Sequence, residues 1–270
     1  MATVLAAPSL SLDGPQPVAP EYSLLAQLTP IGTTRLAGAA WWPYPAGPAK
    51  LYPHCATGSF ADKDLDQDNL DASFAPFTVY MAARCSPLSV SETELRSRAR
   101  LAFEAIESQG VEMELANGIA NPDNPHFGDA NADLISGAQS PVVALALLER
   151  AIANTGRKGL IHADPAVTTA WAQYLQSDGE MLTTIANGTQ VISGDGYSEI
   201  DPAGGSLNDP VSEGWAFATG PVLIYRSEME ILFGFDQTIN DQVALAERGY
   251  LVTWDTTPQT GVLVDFTTTP

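Results

Sequence analysis

The first sixty residues hold nine prolines: Pro8, Pro15, Pro17, Pro20, Pro30, Pro43, Pro45, Pro48 and Pro53. Each fixes φ and removes a backbone donor, so this density predicts no helix and only short extended pieces. Yet the stretch is not polar. Leu24, Leu25, Leu28, Trp41, Trp42, Tyr44, Leu51 and Tyr52 cost about 1.5 to 3 kcal/mol each if left in water. An arm with no core of its own must bury them either against the body of its own chain or against a neighbouring copy, and the neighbour is the favoured surface.

Composition narrows the partners. With 32 acidic and 12 basic residues the formal net charge is −20 over 270 residues, which argues against a free-standing nucleic-acid binder, since grip on phosphates comes from Lys and Arg. The length suits one large or two modest domains, and 45% hydrophobic residues supply a real core. Only 16% are charged, against about a quarter in ordinary domains; a surface so poor in charge is the kind that subunits cover. Cys55 and Cys85 are too few for a disulfide framework. Met1 to Pro20 has neither a basic start nor an unbroken apolar run, so no signal peptide is expected. No window reaches the roughly 18 apolar residues of a membrane span.

Beyond the arm, Phe74 to Met81 reads as a strand. Ser91 followed by Glu94 is a capping box, and Leu95, Ala99, Ala102, Phe103 and Ile106 then recur at helical spacing, resuming through Val111 and Leu115 to Asn117-Gly118. The result is a helix near 40 Å long at roughly 1.5 Å per residue, with Gly110 a possible bend. A polar loop should lead to a second helix opening at Ser140-Pro141 and ending by Gly156. Leu160 to His162 reads as a strand, Asp164-Pro165 opens a third helix running through Trp171 and Leu175 to before Gly179, and Thr189 to Ile192 is a strand. Ala218 to Tyr225, Met229 to Phe233, Gly249 to Trp254 and Gly261 to Phe266 complete a mixed α+β body.

No catalytic constellation stands out. Asp62, Asp64, Asp66 and Asp68 alternate, with Asp71 three residues further on, but the calcium-loop template fails: counted from Asp62, its sixth position is Gln67 and its twelfth Ser73. These read as a solvated acidic loop. Gly194-Asp-Gly196 lacks the third glycine and following helix of a dinucleotide loop. His54, Cys55 and Cys85 lack zinc-site spacing, and His162 with Asp164 lacks a nucleophile elbow for a serine triad. Arg84, Arg96, Arg98 and Arg100 read as a solvated face or intersubunit ion pairs rather than a phosphate contact. The expectation is no enzyme, with no catalytic, cofactor or metal residues.

The order of arm, loop, long helix and α/β block resembles the major capsid proteins of tailed bacteriophages, the Hong Kong phage type of fold shared with encapsulins. Pieces similar to heads of phages infecting actinobacteria are Pro76-Phe77-Thr-Val-Tyr80, Val111-Glu112-Met-Glu114-Leu115, Gly159-Leu-Ile161-His162-Ala-Asp-Pro165, Trp215 to Val222, and Glu247-Arg248 through Trp254-Asp255. The resemblance implies an N-terminal arm at 1–30 and an extended loop at 31–85. It further implies a peripheral domain at 86–139 plus 246–270, with the long helix as its spine, and an axial domain at 140–245. By that likeness copies of the chain would gather as hexamers and pentamers into an icosahedral head, assembled in the host cytoplasm. The head would enclose double-stranded DNA without sequence-specific binding, with decoration and scaffolding proteins as further candidate partners, no membrane and no cofactor. Relatives that weld their shells use a loop lysine, but no motif marks Lys50 or Lys63. The rivals are an encapsulin-type compartment, a minor head or tail protein and, further off, a secreted calcium-binding protein or a hydrolase.

Overall fold

The computed structural model describes residues 17–36, 38–41, 72–85, 90–129, 131–198, 212–236 and 241–267. Two sheets organise the chain, each built on strands that pair across long sequence separations. The first is centred on the 14-residue strand β13 (Asp241–Trp254). One side of β13 carries β4 (Phe77–Cys85), antiparallel from Gln242↔Cys85 to Tyr250↔Phe77. Its other side carries β12 (Glu230–Asp236) and then β11 (Val222–Arg226), and β1 (Ile31–Gly32) adds to β11 in parallel.

Helix α2 (Glu92–Asn117) covers one face of this sheet. Its ends are those the sequence predicts: the Ser91 hydroxyl accepts from the Glu94 N–H, and Gly118 closes the helix at φ 60°. Leu95, Ala99, Phe103, Val111 and Leu115 turn inward onto Phe77, Val79, Ala244, Ala246 and Tyr250. The helix runs unbroken through Gly110. A Cβ there would stand 2.7 Å from Val79 Cγ1, so the glycine admits a close helix–sheet contact rather than marking an end.

The second sheet has the order β5-β14-β10-β6-β9-β8-β7. Its strands are β5 (Asp133–Gln139), β6 (Leu160–Ala163), β7 (Leu175–Ser177), β8 (Leu182–Thr184), β9 (Gln190–Ser193), β10 (Glu213–Thr219) and β14 (Gln259–Asp265). Helices α3 (Pro141–Asn154) and α4 (Pro165–Ala170) pack on one face, where Leu145, Leu148, Val167, Trp171, Ile161 and Val262 form a second core. Every residue of β6 is buried, because its opposite face meets the first core through Leu160 and the residues around Phe217.

Several expectations are corrected. The proline-rich arm does contain a helical turn, α1 (Leu24–Gln27), and Leu24 is fully buried, with Leu25 and Leu28 beside it, in the chain's own core rather than against a neighbour. Four residues between Pro20 and Pro30 suffice for one turn without crossing a proline. The expected loop before Ser140 holds β5, whose exposed edge position hides any alternation. The third helix stops at Ala170 and gives way to a short 3₁₀ turn and β7, because the Ile185 N–H binds the Tyr174 carbonyl and draws the chain into a strand. The strand expected over 218–225 is two strands in different sheets, divided at Gly220-Pro221. Residues 42–71, with Trp42, Tyr44, Leu51 and Tyr52, lie outside the described residues.

Candidate functional site

Each candidate chemistry can be followed to its place. His162 is wholly buried on β6, with Nδ1 3.0 Å from the Tyr197 hydroxyl and Nε2 3.0 Å from Thr219 Oγ1. The Phe127 ring centroid lies 4.8 Å from that of His162, with the planes tilted by 47°. Burial lowers its pKa to about 3, so it sits neutral in the core. Asp164, two residues on, accepts from the Val167 N–H at 2.8 Å and caps α4; burial raises its carboxyl pKa. Both ring nitrogens of His162 thus face core hydroxyls, and Asp164 serves a helix. The pair is not arranged as a triad.

Gly194 and Gly196 serve a carboxylate instead of a pyrophosphate. Glu112, on α2, is buried and accepts from the N–H groups of Leu24 and Gly196 and from the Ser108 hydroxyl, at 2.8, 3.1 and 2.9 Å. Cβ atoms at Gly194 and Gly196 would fall 2.3 Å and 2.4 Å from the Glu112 side chain. Burial raises the Glu112 pKa, while the three donors support its charged form. The result ties α1, α2 and the 194–197 turn together.

The arginines near the start of α2 are paired along the helix. Arg96 binds Glu92 at 2.8 Å and the Ile231 carbonyl at 2.7 Å, Arg98 binds Glu94 at 2.6 Å, and Arg100 lies 3.9 Å from Glu104. Their charge is answered within the helix itself, where the sequence predicts a solvated face or intersubunit pairs. Cys85 ends β4, half-buried; His54, Cys55, Lys50, Lys63 and the aspartates at 62–71 lie outside the described residues. Among the described residues no group of three or more His, Cys, Asp or Glu could hold a metal ion, and no helix is long and apolar enough to cross a membrane.

The features left over are surfaces. Strands β2 (Ala39–Trp41) and β3 (Ala72–Phe74) pair antiparallel, so residues 42–71 leave and rejoin the body at one two-stranded stem. Tyr80 on the open face of β4 is 65% exposed, and Leu232 on β12, across β13 from it, is half exposed. Beside α3, a groove of about 520 Å³ is lined by Val142, Leu145, Ala146, Tyr174 and Ile185 among others. Sequence reasoning missed this groove; the Asp178-Gly179 and Asn187-Gly188 pairs that shape the two turns flanking β8 were its available signal.

No protein-family model and no curated protein matches the sequence. Solved structures do match the fold along nearly its full length. The holo-SrpI encapsulin complex from Synechococcus elongatus PCC 7942 aligns with a TM-score of 0.57 at 14% identity, covering 98% of this chain and 95% of that chain. The capsid of a native GTA particle computed with C5 symmetry gives 0.54 at 10% identity, covering 98% and 97%. Mycobacterium phage Ogopogo gives 0.53 at 12% identity, covering 96% of each chain. At such identities the likeness speaks to architecture alone. The chain has the fold shared by phage capsid subunits and encapsulin shells.

Proposed function

We propose that this protein is the major capsid protein of a tailed-phage-type particle, a structural subunit whose copies close into an icosahedral head around double-stranded DNA. The observation that carries this reading is the match of whole chain to whole chain with shell subunits. Exposed apolar side chains on the open sheet face and in the α3 groove supply surface for contacts between copies. In this reading α2 with the five-stranded sheet is the peripheral unit, and the seven-stranded sheet with α3 is the axial one. Drawn by sheet membership, with β11 and β12 beside β13 and β5 and β14 in the seven-stranded sheet, these proposed units differ from the ranges 86–139 plus 246–270 and 140–245 that the resemblance implies. The extended loop at 31–85, of which residues 42–71 lie outside the described residues, belongs to the same reading as a contact with an adjacent copy. A net charge of −20 gives a wall with little hold on phosphates, which lets packed DNA move. Head assembly in the host cytoplasm, with decoration or scaffolding proteins, belongs to the same proposal.

Negative-stain microscopy of the purified chain tests it. Closed shells are expected; monomers or dimers alone at high concentration would overturn it. The encapsulin reading rests on the match at TM-score 0.57. Particles recovered from the native source separate the two: nuclease-protected DNA marks a phage head, and enclosed protein marks a compartment.

A further inference from the structure

A polar cavity of about 680 Å³ opens where β1, the link between β11 and β12, and β13 meet. Its walls include Gly32, Thr33, Thr34, Arg226, Ser227 and Arg248. The backbone around it is held firmly: the Thr33 N–H donates to the Arg226 carbonyl, and the Gly249 N–H to the Ser227 hydroxyl. Two of the nine arginines in a strongly acidic chain therefore converge on one concave site.

Their positive charge is only partly answered. One buried carboxylate, Glu107, takes hydrogen bonds from Arg248 Nη1 and from the Tyr250 hydroxyl. The same oxygen lies 3.9 Å from Arg226 Nη1, beyond hydrogen-bond reach. Arg226 has no nearer side-chain partner among the described residues, and its side chain is 38% exposed. Arg248 Nε is buried with no hydrogen-bond partner. Glu228 stands exposed at the rim, and only its backbone carbonyl is engaged, by Ser227. Nothing lies within 4 Å of where a Cβ on Gly32 would stand, which keeps the cavity open on that wall. A forked donor with unused N–H groups in a cavity is a receptor for an oxyanion, and a carboxylate matches the fork best in a protein contact.

The chain carries a complementary segment. Asp62, Asp64, Asp66 and Asp68 stand at every second position, the spacing that groups carboxylates on one side of an extended segment, and Asp71 adds a fifth charge nearby. A segment presented by a subunit contact is held at the pocket at high effective concentration, an advantage that a free polyanion such as DNA lacks. We propose that the pocket receives the aspartate-bearing segment 62–71 of a second copy of this chain, with Arg226 pairing its carboxylates. The partner's identity rests on the shell reading; the pocket's chemistry does not.

The test uses the full chain with Asp62, Asp64, Asp66, Asp68 and Asp71 all changed to Asn, so that its own segment cannot compete. A fluorescent peptide of residues 60–73 is titrated into it, and anisotropy is read. Saturable binding is expected, weakening as salt is raised, about tenfold weaker in Arg226→Gln, and lost in Arg226→Glu. Both substitutions are at a partly exposed side chain, and thermal melts check that the fold persists. Absence of peptide binding, binding indifferent to both substitutions, or equal competition by inorganic phosphate or a short DNA duplex would overturn the proposal. Particle formation by the unaltered chain is scored separately. Particles without peptide binding sink the pocket alone; peptide binding without particles sinks the shell reading alone.

Discussion

At the residue scale, polar groups enclosed in the core govern how the protein responds to pH. His162 has an unfolded pKa near 6.5 and a folded one of about 3, so between these values the unfolded chain binds the extra proton. Stability is therefore lost as pH falls through that window, by roughly 1.4 kcal/mol per pH unit. Glu107, Glu112 and Asp164 act in the opposite sense, since burial raises their carboxyl pKa values and acid favours the folded form. Denaturant melts of wild type and His162→Gln across pH 7 to about 4 isolate the histidine, and the variant should show the flatter profile. A wild-type curve as flat as the variant's would contradict the buried neutral ring. Gly196→Ala probes the same region by volume. Its new Cβ would fall 2.6 Å from the Gln109 carbonyl and 2.8 Å from the Met113 nitrogen, both α2 backbone. A loss of about 1 to 3 kcal/mol is expected from chemical denaturation, where the same change at open Gly234 should cost much less.

At the element scale, α2 links most of the molecule. It packs on β4, β12 and β13, and it holds α1 and the 194–197 turn through Glu112. Replacing Glu112 with Ala strands the N–H groups of Leu24 and Gly196, at about 1 to 3 kcal/mol for each buried donor left unmade. Hydrogen exchange should then speed at residues 24–28 and 194–198 while β10 and β14 stay protected; uniform loss of protection would show that the link is not local. The long helix was legible in the sequence because its cap, its stripe and its stop all lie within the segment itself. The 14-residue length of β13 was not. Its first half, Asp241 to Arg248, mixes charged and small residues, since one face meets α2 and the other is open. The break at Gly220-Pro221 was also hidden, because its cause is distant in sequence: a Cβ at Gly220 would stand 2.6 Å from Asp255 Cβ, and Asp255 pairs with Arg157. At this point two strands cross together from one sheet to the other.

At the scale of the whole molecule, the arm divides. Its first part, around Leu24, completes the chain's own core, while Trp41 and Trp42 flank the start of the segment bracketed by the stem. Changing both tryptophans to Ala should lower the yield of closed particles at least tenfold by sedimentation, with the far-ultraviolet circular dichroism of the body unchanged. Normal particle yield would remove these residues from the subunit contact.

The sequence by itself determined the local pieces of this protein: the Ser91 cap and Gly118 stop of α2, the proline start of α3, the strand character of 160–163, and a charge balance that disfavours binding to phosphates. These depend on hydrogen bonds and periodicities that close within a few residues. Only the tertiary structure decided which sheet each strand joins, that His162 and Glu112 are structural groups, that Leu24 turns inward, and that Arg226 and Arg248 share a pocket. Those outcomes need partners far apart along the chain, such as Glu107 with Tyr250, 143 residues away. Whether two such groups meet depends on how the intervening layers pack, which no short stretch of sequence encodes.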